Sequence, residues 1–195
     1  MPGPKKIILI RHAEKPASPP PAGVDENGLA NEHALLVRGW QRAGALVAFF
    51  AAPTHKKIAT PKTIVAATVC DDPDLDPADA RSLRPTLTVE PLVAKLGPDV
   101  TYVNEIPVGQ EHAAIEAIKA RSGVVLVSWE HKRIPKIAAG FVDDPPEWGE
   151  RYDPVWILDR KRNGKYELTI KYQGLLAGDL PYSGAASGAG EAPAG

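Results

Sequence analysis

The sequence has few of the features that mark secreted, membrane-spanning or nucleic-acid-binding proteins. Its 195 residues contain one cysteine, Cys70, which excludes an internal disulfide and indicates a reducing compartment. No apolar run approaches the roughly 18 residues that span a bilayer, and IILI after two lysines is too short for a signal-peptide core. The formal net charge of −1 gives no broad attraction for nucleic acid or an anionic membrane. We therefore expect a soluble, cytoplasmic protein.

The chain alternates between strand-like and helix-like segments. With 44% hydrophobic and 24% charged residues, it suits a globular domain with a substantial core. Short apolar runs predict strands at residues 5–10, 63–70, 99–104, 122–129, 154–159 and 165–172. Helical spacing predicts helices within 31–50, 85–96, 110–120 and 134–141, with Pro91 as an obstacle in the second of them. The alternation predicts a three-layer α/β/α sandwich with a mostly parallel central sheet.

The predicted domain covers residues 1–181, and the sequence changes character after it. Residues 182–195 are rich in Gly, Ala and Ser and have no apolar periodicity with which to join a core. We therefore predict a low-complexity, disordered tail.

Two of the predicted strands run directly into histidine. The first is followed by RHAEK at residues 11–15, and the fourth by EH at residues 130–131. Neighbouring parallel strands would bring the two imidazoles to the carboxyl edge of the sheet, where ligands bind in open α/β folds. Histidines and arginines gathered there would repel one another unless an anion lay between them, and phosphate matches the guanidinium fork. Nearby cations also disfavour the imidazolium form, so a neutral His12 could attack phosphorus.

These segments resemble the signature of the histidine phosphatase superfamily, also called phosphoglycerate mutase-like. In LIRHAE, the resemblance implies that His12 becomes phosphorylated and that Arg11 binds the phosphoryl group. In SLRPTLT, the second arginine of the family falls on Arg84, and in VVLVSWEH the second histidine falls on His131. The three segments occur in the family's order over residues 5–160. The resemblance also implies that one edge strand of the sheet is antiparallel.

Two glutamates are candidates for the general acid, the group that protonates the leaving oxygen. For the mutase-like branch, the resemblance implies that the acid is a Glu between the second Arg and the second His, often with Gly four residues later. Glu105 and Gly109 have that spacing. Glu111 competes from the start of the next helix, where the helix dipole favours the ionised carboxylate, a poor proton donor. Glu14 is expected to orient an Arg or a His, and Lys15 is a further candidate for the site.

Two lysines distinguish the chain from the acid phosphatase branch of the superfamily. That branch has an Arg shortly after its first His and an Asp directly after its second, where this sequence has Lys15 and Lys132. The pattern therefore favours the smaller, mutase-like branch. Two assignments stay open here: Arg81 could take the place of Arg84, and Glu130 could be either a structural acceptor or a proton shuttle.

Together these residues predict hydrolysis of a phosphate monoester through a phosphohistidine on His12. The cations are built into the chain and no pair of histidines has metal-ligand spacing, so neither a metal nor a cofactor is expected. The expected substrate is a small phosphorylated molecule or a phosphoprotein. A phosphomutase using the same phosphohistidine is one alternative, and a catalytically silent phosphate-binding or interaction domain is the other.

Overall fold

Strands and helices alternate along the chain, as the sequence pattern predicts. The computed structural model describes residues 3–16, 22–70 and 80–182. Its strands are β1 (Lys6–Arg11), β2 (Thr63–Thr68), β3 (Thr101–Pro107), β4 (Val124–Trp129), β5 (Pro154–Arg160) and β6 (Tyr166–Tyr172). Its α-helices are α1 (Val37–Ala51), α2 (Arg84–Leu96), α3 (Glu111–Lys119) and α4 (Ile134–Ala138), and a 3-10 turn at Gly97–Asp99 follows α2.

The strands form one six-stranded sheet in the order β3-β2-β4-β1-β5-β6. The pairs among β1, β2, β3 and β4 are all parallel, whereas β5 is antiparallel to both β1 and β6. The strand that runs against the others is thus β5, one position inside the edge, and not the edge strand that the resemblance implied. The reason is the short hairpin at Asn163-Gly164, which reverses the chain once more, so that β6 runs in the direction of β1.

The core lies on both faces of this sheet. All six residues of β1 and of β4 are buried, as is typical of parallel strands covered on two sides. On one face, Ile7 and Leu9 belong to a cluster that includes residues of α3 and α4. On the other face, Ile8 and Ile10 belong to a cluster that includes residues of α1 and α2. The observed layers therefore confirm the predicted α/β/α sandwich with a mostly parallel sheet.

Two helices and the start of the C-terminal segment can be compared with the sequence-based expectations. Helix α2 runs through Pro91, while α4 ends at Ala138, before the predicted end of that helix. Residues 183–195 of the predicted tail lie outside the described residues, but the ring of Tyr182 stacks on His55 with centroids 3.9 Å apart. Within residues 3–16, 22–70 and 80–182, no helix combines the length and the apolar character needed to cross a membrane.

Candidate active site

The two histidines lie at the carboxyl ends of neighbouring strands in the middle of the sheet. Strands β1 and β4 are paired in parallel, with Arg11 opposite Trp129. The backbone N–H of His12 continues the ladder by donating to the carbonyl of Trp129 at 3.0 Å. His131 follows two residues after that carbonyl, and both imidazoles are buried. The structure thus brings the two sequence motifs together as predicted, at the sheet edge where open α/β folds bind ligands.

The imidazole of His12 is held in one tautomer. Its Nδ1 lies 2.8 Å from the carbonyl oxygen of Ala13. A carbonyl oxygen can only accept, so Nδ1 carries the proton and the lone pair is on Nε2. Burial, together with the charges of Arg11 and Arg84, lowers the pKa of His12 to about 3 against the opposing effect of the Ala13 hydrogen bond. The ring is therefore neutral at physiological pH and keeps a nucleophilic nitrogen.

Arg11 is buried beneath a loop that precedes β5. Its Nη1 donates to the carbonyl of Glu150, and the Glu150 carboxylate lies 3.9 Å from the same nitrogen. The guanidinium carbon of Arg11 stands 3.9 Å from the centre of the Tyr152 ring, which is a cation–π distance. Burial lowers the pKa of Arg11, and these neighbours act against that effect. The side chain is thus a fixed, desolvated cation beside His12.

His131 faces a carboxylate on each side of its ring. Oε1 of Glu130 lies 2.6 Å from Nδ1 but off the direction of the ring N–H, and Oε1 of Glu150 lies 3.6 Å from Nε2. Burial raises the pKa of Glu130, yet its contact with His131 and a hydrogen bond from the backbone of Lys132 outweigh burial and lower the pKa to about 2. Glu130 is therefore an ionised acceptor beside His131.

Arg84 begins helix α2 and reaches back toward the first histidine. Its side chain donates to the carbonyls of Ala34 and Glu32, at 3.1 Å and 2.6 Å, and to the Ser82 hydroxyl at 3.3 Å. Its positive charge contributes to the low pKa of His12, which places it in the electrostatic surroundings of that ring. The role of Arg84 in holding a phosphoryl group stays a prediction.

Thr88, four residues after Arg84, ties helix α2 to the loop of His12. Its hydroxyl donates to the carbonyl of Arg84 at 2.7 Å and accepts the backbone N–H of Ala13 at 2.8 Å. Ala13 is also the residue whose carbonyl fixes the His12 tautomer. The Arg-x-x-x-Thr spacing of the second motif was the only sequence signal for this contact.

Glu14 orients an arginine, but one that the sequence pattern did not single out. Its carboxylate accepts from Nε and Nη2 of Arg42, at distances from 2.7 to 3.1 Å, and lies 3.3 Å from Nε of Arg38. Arg42 also donates to Asp179 and Gln173, so this buried network joins the His12 loop to α1 and to the segment after β6. Lys15 is anchored through its backbone, whose N–H lies 3.5 Å from the Tyr152 hydroxyl.

A glycine of α1 permits the helix to pack against the same loop. A Cβ on Gly39 would lie 2.7 Å from the carbonyl oxygen of Glu14 and 3.2 Å from its backbone nitrogen. The backbone N–H of Leu36 donates to that same carbonyl at 3.0 Å. Any larger residue at position 39 would push the helix away from the loop that carries His12.

The two candidate acids occupy different surroundings. Glu105 is exposed on the outer strand β3, where Asn104 and Glu105 together face Ala66 in a β-bulge. β3 lies three strand spacings from β1, which is about 14 Å across the sheet at about 4.8 Å per spacing. Its role as the acid stays a prediction, and a substrate would have to bridge that distance.

Glu111 is the first residue of α3 and is buried. Its Oε1 accepts from the backbone N–H of Gly109 at 2.9 Å and from Nε1 of Trp129 at 3.2 Å, and its Oε2 lies 3.3 Å from Nη1 of Arg133. Trp129 and Arg133 flank His131 in the sequence. Glu111 therefore holds a side chain on each side of that histidine, and its oxygens are occupied as acceptors.

Comparisons with known proteins agree with this architecture. No family model matches the chain, and no curated protein sequence does. Among solved structures, the protein histidine phosphatase SixA, complexed with tungstate, matches over 86% of this chain and 97% of its own, with a TM-score of 0.52 and 10% identity. A phosphoglycerate mutase from Plasmodium falciparum matches over 92% of this chain and 96% of its own, with a TM-score of 0.46 and 14% identity. The first of these likenesses shows that the chain shares the fold of the histidine phosphatase SixA.

Proposed function

We propose that the protein hydrolyses phosphate monoesters through a phosphohistidine on His12. The observation that carries this proposal is the state of that imidazole. It is buried and neutral, its proton is held on Nδ1 by the carbonyl of Ala13, and its Nε2 lone pair is available beside the cation of Arg11. A neutral nitrogen nucleophile next to fixed positive charge is what attack on a phosphoryl group requires.

In this proposal, the remaining charged groups hold the transferring phosphoryl group. Arg11 and His131 converge from neighbouring strands, and Arg84 approaches from α2. The positive charges of Arg11 and Arg84 oppose the negative charge spread over the three phosphoryl oxygens in the transition state, and the ring of His131 donates a hydrogen bond to those oxygens. Glu130, an ionised carboxylate 2.6 Å from Nδ1 of His131, orients that ring. Since these side chains supply the electrostatic stabilisation, the proposal includes no cofactor.

Hydrolysis is favoured over mutase activity by the exposure of the site. A mutase must keep water away from its phosphohistidine until the second hydroxyl arrives. Here the Glu150 carboxylate, which lies close to Arg11 and His131, is 87% exposed. In this proposal, the exposed carboxylate admits water beside the buried His12, so the phosphohistidine is expected to react with water. The substrate class that fits is a small phosphate monoester or a phosphorylated side chain of a protein.

Turnover of a panel of phosphate monoesters by the wild-type protein and His12→Ala tests the proposal. We expect His12→Ala to retain less than about a hundredth of the wild-type rate, because a positioned catalytic group commonly contributes 100-fold or more. His112→Ala, which removes an exposed imidazole from α3, is the matched control and is expected to keep wild-type turnover. A protein that binds vanadate but turns over no phosphate ester would instead be a silent phosphate-binding domain.

A further inference from the structure

We propose that Glu150 is the catalytic acid and base of this reaction, an inference that rests on the proposed function. Glu150 belongs to the loop between α4 and β5, which none of the sequence motifs includes. It protonates the leaving oxygen when His12 is phosphorylated and deprotonates water when the phosphohistidine is hydrolysed.

The loop that carries Glu150 is fixed on both sides of this residue. Before it, Trp148 is buried against Trp156 of β5, with ring centroids 4.9 Å apart, and its Nε1 donates to the carbonyl of Arg151 at 3.0 Å. After it, Arg151 forms two hydrogen bonds of 2.7 Å with the buried carboxylate of Asp153. The backbone of Glu150 itself accepts from Arg11. A side chain on so well anchored a backbone can be positioned for catalysis.

The carboxylate of Glu150 lies between the two groups proposed to hold the phosphoryl oxygens. Its Oε2 is 3.9 Å from Nη1 of Arg11, and its Oε1 is 3.6 Å from Nε2 of His131. With His131, it lines a cavity of about 190 Å³. The side chain is exposed, and in this proposal the leaving alcohol departs past it.

The other carboxylates near the histidines are committed to different partners. Glu14 is bound to Arg42, and Glu111 accepts from Trp129, Gly109 and Arg133. Glu130 has its pKa lowered to about 2 and is held against His131, which makes it a poor proton donor. Glu105 lies three strands away from β1. Among the carboxylates that the structure describes here, Glu150 combines proximity to Arg11 and His131 with an exposed side chain.

Glu150 alone carries the proton in both steps, the phosphorylation of His12 and the hydrolysis of the phosphohistidine. In the first, the Nε2 lone pair of His12 forms the P–N bond as the bond from phosphorus to the ester oxygen breaks; that oxygen keeps the electron pair and takes the proton of Glu150. In the second, a water oxygen forms a bond to phosphorus, the Glu150 carboxylate takes a water proton, and the P–N electron pair returns to Nε2. The products are an alcohol and inorganic phosphate, and both side chains end as they began.

The test is the dependence of the Glu150→Gln variant on the leaving group. Glycerol 2-phosphate releases a basic alkoxide and needs the acid, whereas p-nitrophenyl phosphate releases a stable phenolate and does not. We expect Glu150→Gln to lose about 100-fold or more in kcat/KM on glycerol 2-phosphate, the usual size of general acid catalysis. The pre-steady-state burst of p-nitrophenol is expected to keep its wild-type rate. Because the variant lacks the base for the second step, labelled phosphoenzyme is expected to accumulate.

The matched control is Glu147→Gln, which removes the same charge from the same loop. Glu147 lines the same cavity but, within the part of the chain that the structure describes, forms no ion pair with Arg11 or His131. We therefore expect Glu147→Gln to lower kcat/KM by the same small factor on both substrates. If Glu150→Gln lowered kcat/KM equally on the two substrates, the assignment would be overturned. Full activity on glycerol 2-phosphate together with tighter inhibition by vanadate would also overturn it, because Glu150 would then merely compete for the anion site. If the wild-type protein forms no phosphoenzyme at all, the proposed function itself fails.

Discussion

Acid is expected to destabilise the folded protein through His12. The folded pKa of this imidazole is about 3, chiefly because of burial, whereas its ordinary value is 6.5. Between these pH values the unfolded chain binds a proton that the folded protein excludes. The stability associated with neutral His12 is therefore fully present above about pH 6.5 and is lost as the pH falls toward 3. For these two pKa values, the loss between pH 7 and pH 5 is about 2 kcal/mol in the free energy of unfolding.

Urea unfolding of the wild-type protein and of His12→Gln, each at pH 7 and pH 5, measures the contribution of His12 to the loss of stability. The amide of glutamine does not titrate, so the variant is expected to lose about 2 kcal/mol less than the wild type over this interval. His112→Gln, from the exposed face of α3, shows what removal of a surface imidazole does. Identical pH dependence in the wild type and His12→Gln would refute the claim that the fold holds this ring neutral.

Three further predictions concern the packing and charges of the site. Gly39→Ala is expected to lower both stability and turnover, because its Cβ would meet the backbone of Glu14 at 2.7 Å. Gly44→Ala in the same helix has open space around its Cβ and is expected to raise the free energy of unfolding by about 0.5–1 kcal/mol. Urea unfolding measures both changes in stability. Arg42→Met leaves the Glu14 and Asp179 carboxylates without their shared cation. We expect the free energy of unfolding to fall by about 3–5 kcal/mol, and an unchanged urea midpoint would contradict this. Turnover is expected to survive EDTA and to be inhibited by vanadate, which mimics five-coordinate phosphorus; loss in EDTA with recovery on adding a divalent metal would refute the metal-independent mechanism.

The sequence was sufficient to predict the layers of the fold and the meeting of the two histidine motifs. Strands β1 and β4 are short, almost wholly apolar and buried on both faces, so their pattern is strong and their carboxyl ends are unambiguous. Their adjacency was inferred from the histidine at the end of each strand and is confirmed by the pairing of Arg11 with Trp129. The direction of β5 was harder to predict, since a hairpin at Asn163-Gly164 fixes only how β5 and β6 run relative to each other.

Contacts made by irregular segments could not be predicted. Glu150 and Tyr152 come from a loop without apolar periodicity, and tertiary contacts such as the packing of Trp148 on β5 hold that loop over Arg11. The partner of Glu14 was similarly hidden, because Arg42 lies 28 positions later, on α1. Spacing within a motif identifies residues that share an element, whereas these contacts depend on tertiary packing between distant elements.

The most direct test of the central claim is isolation of the covalent intermediate. Wild-type protein is mixed with a ³²P-labelled phosphate monoester, quenched and digested, and the labelled peptide is identified. We expect an acid-labile, base-stable phosphate on the peptide that contains His12, and no label in His12→Ala. Label on a different residue, or turnover without any covalent label at times when the p-nitrophenol burst is complete, would contradict the account.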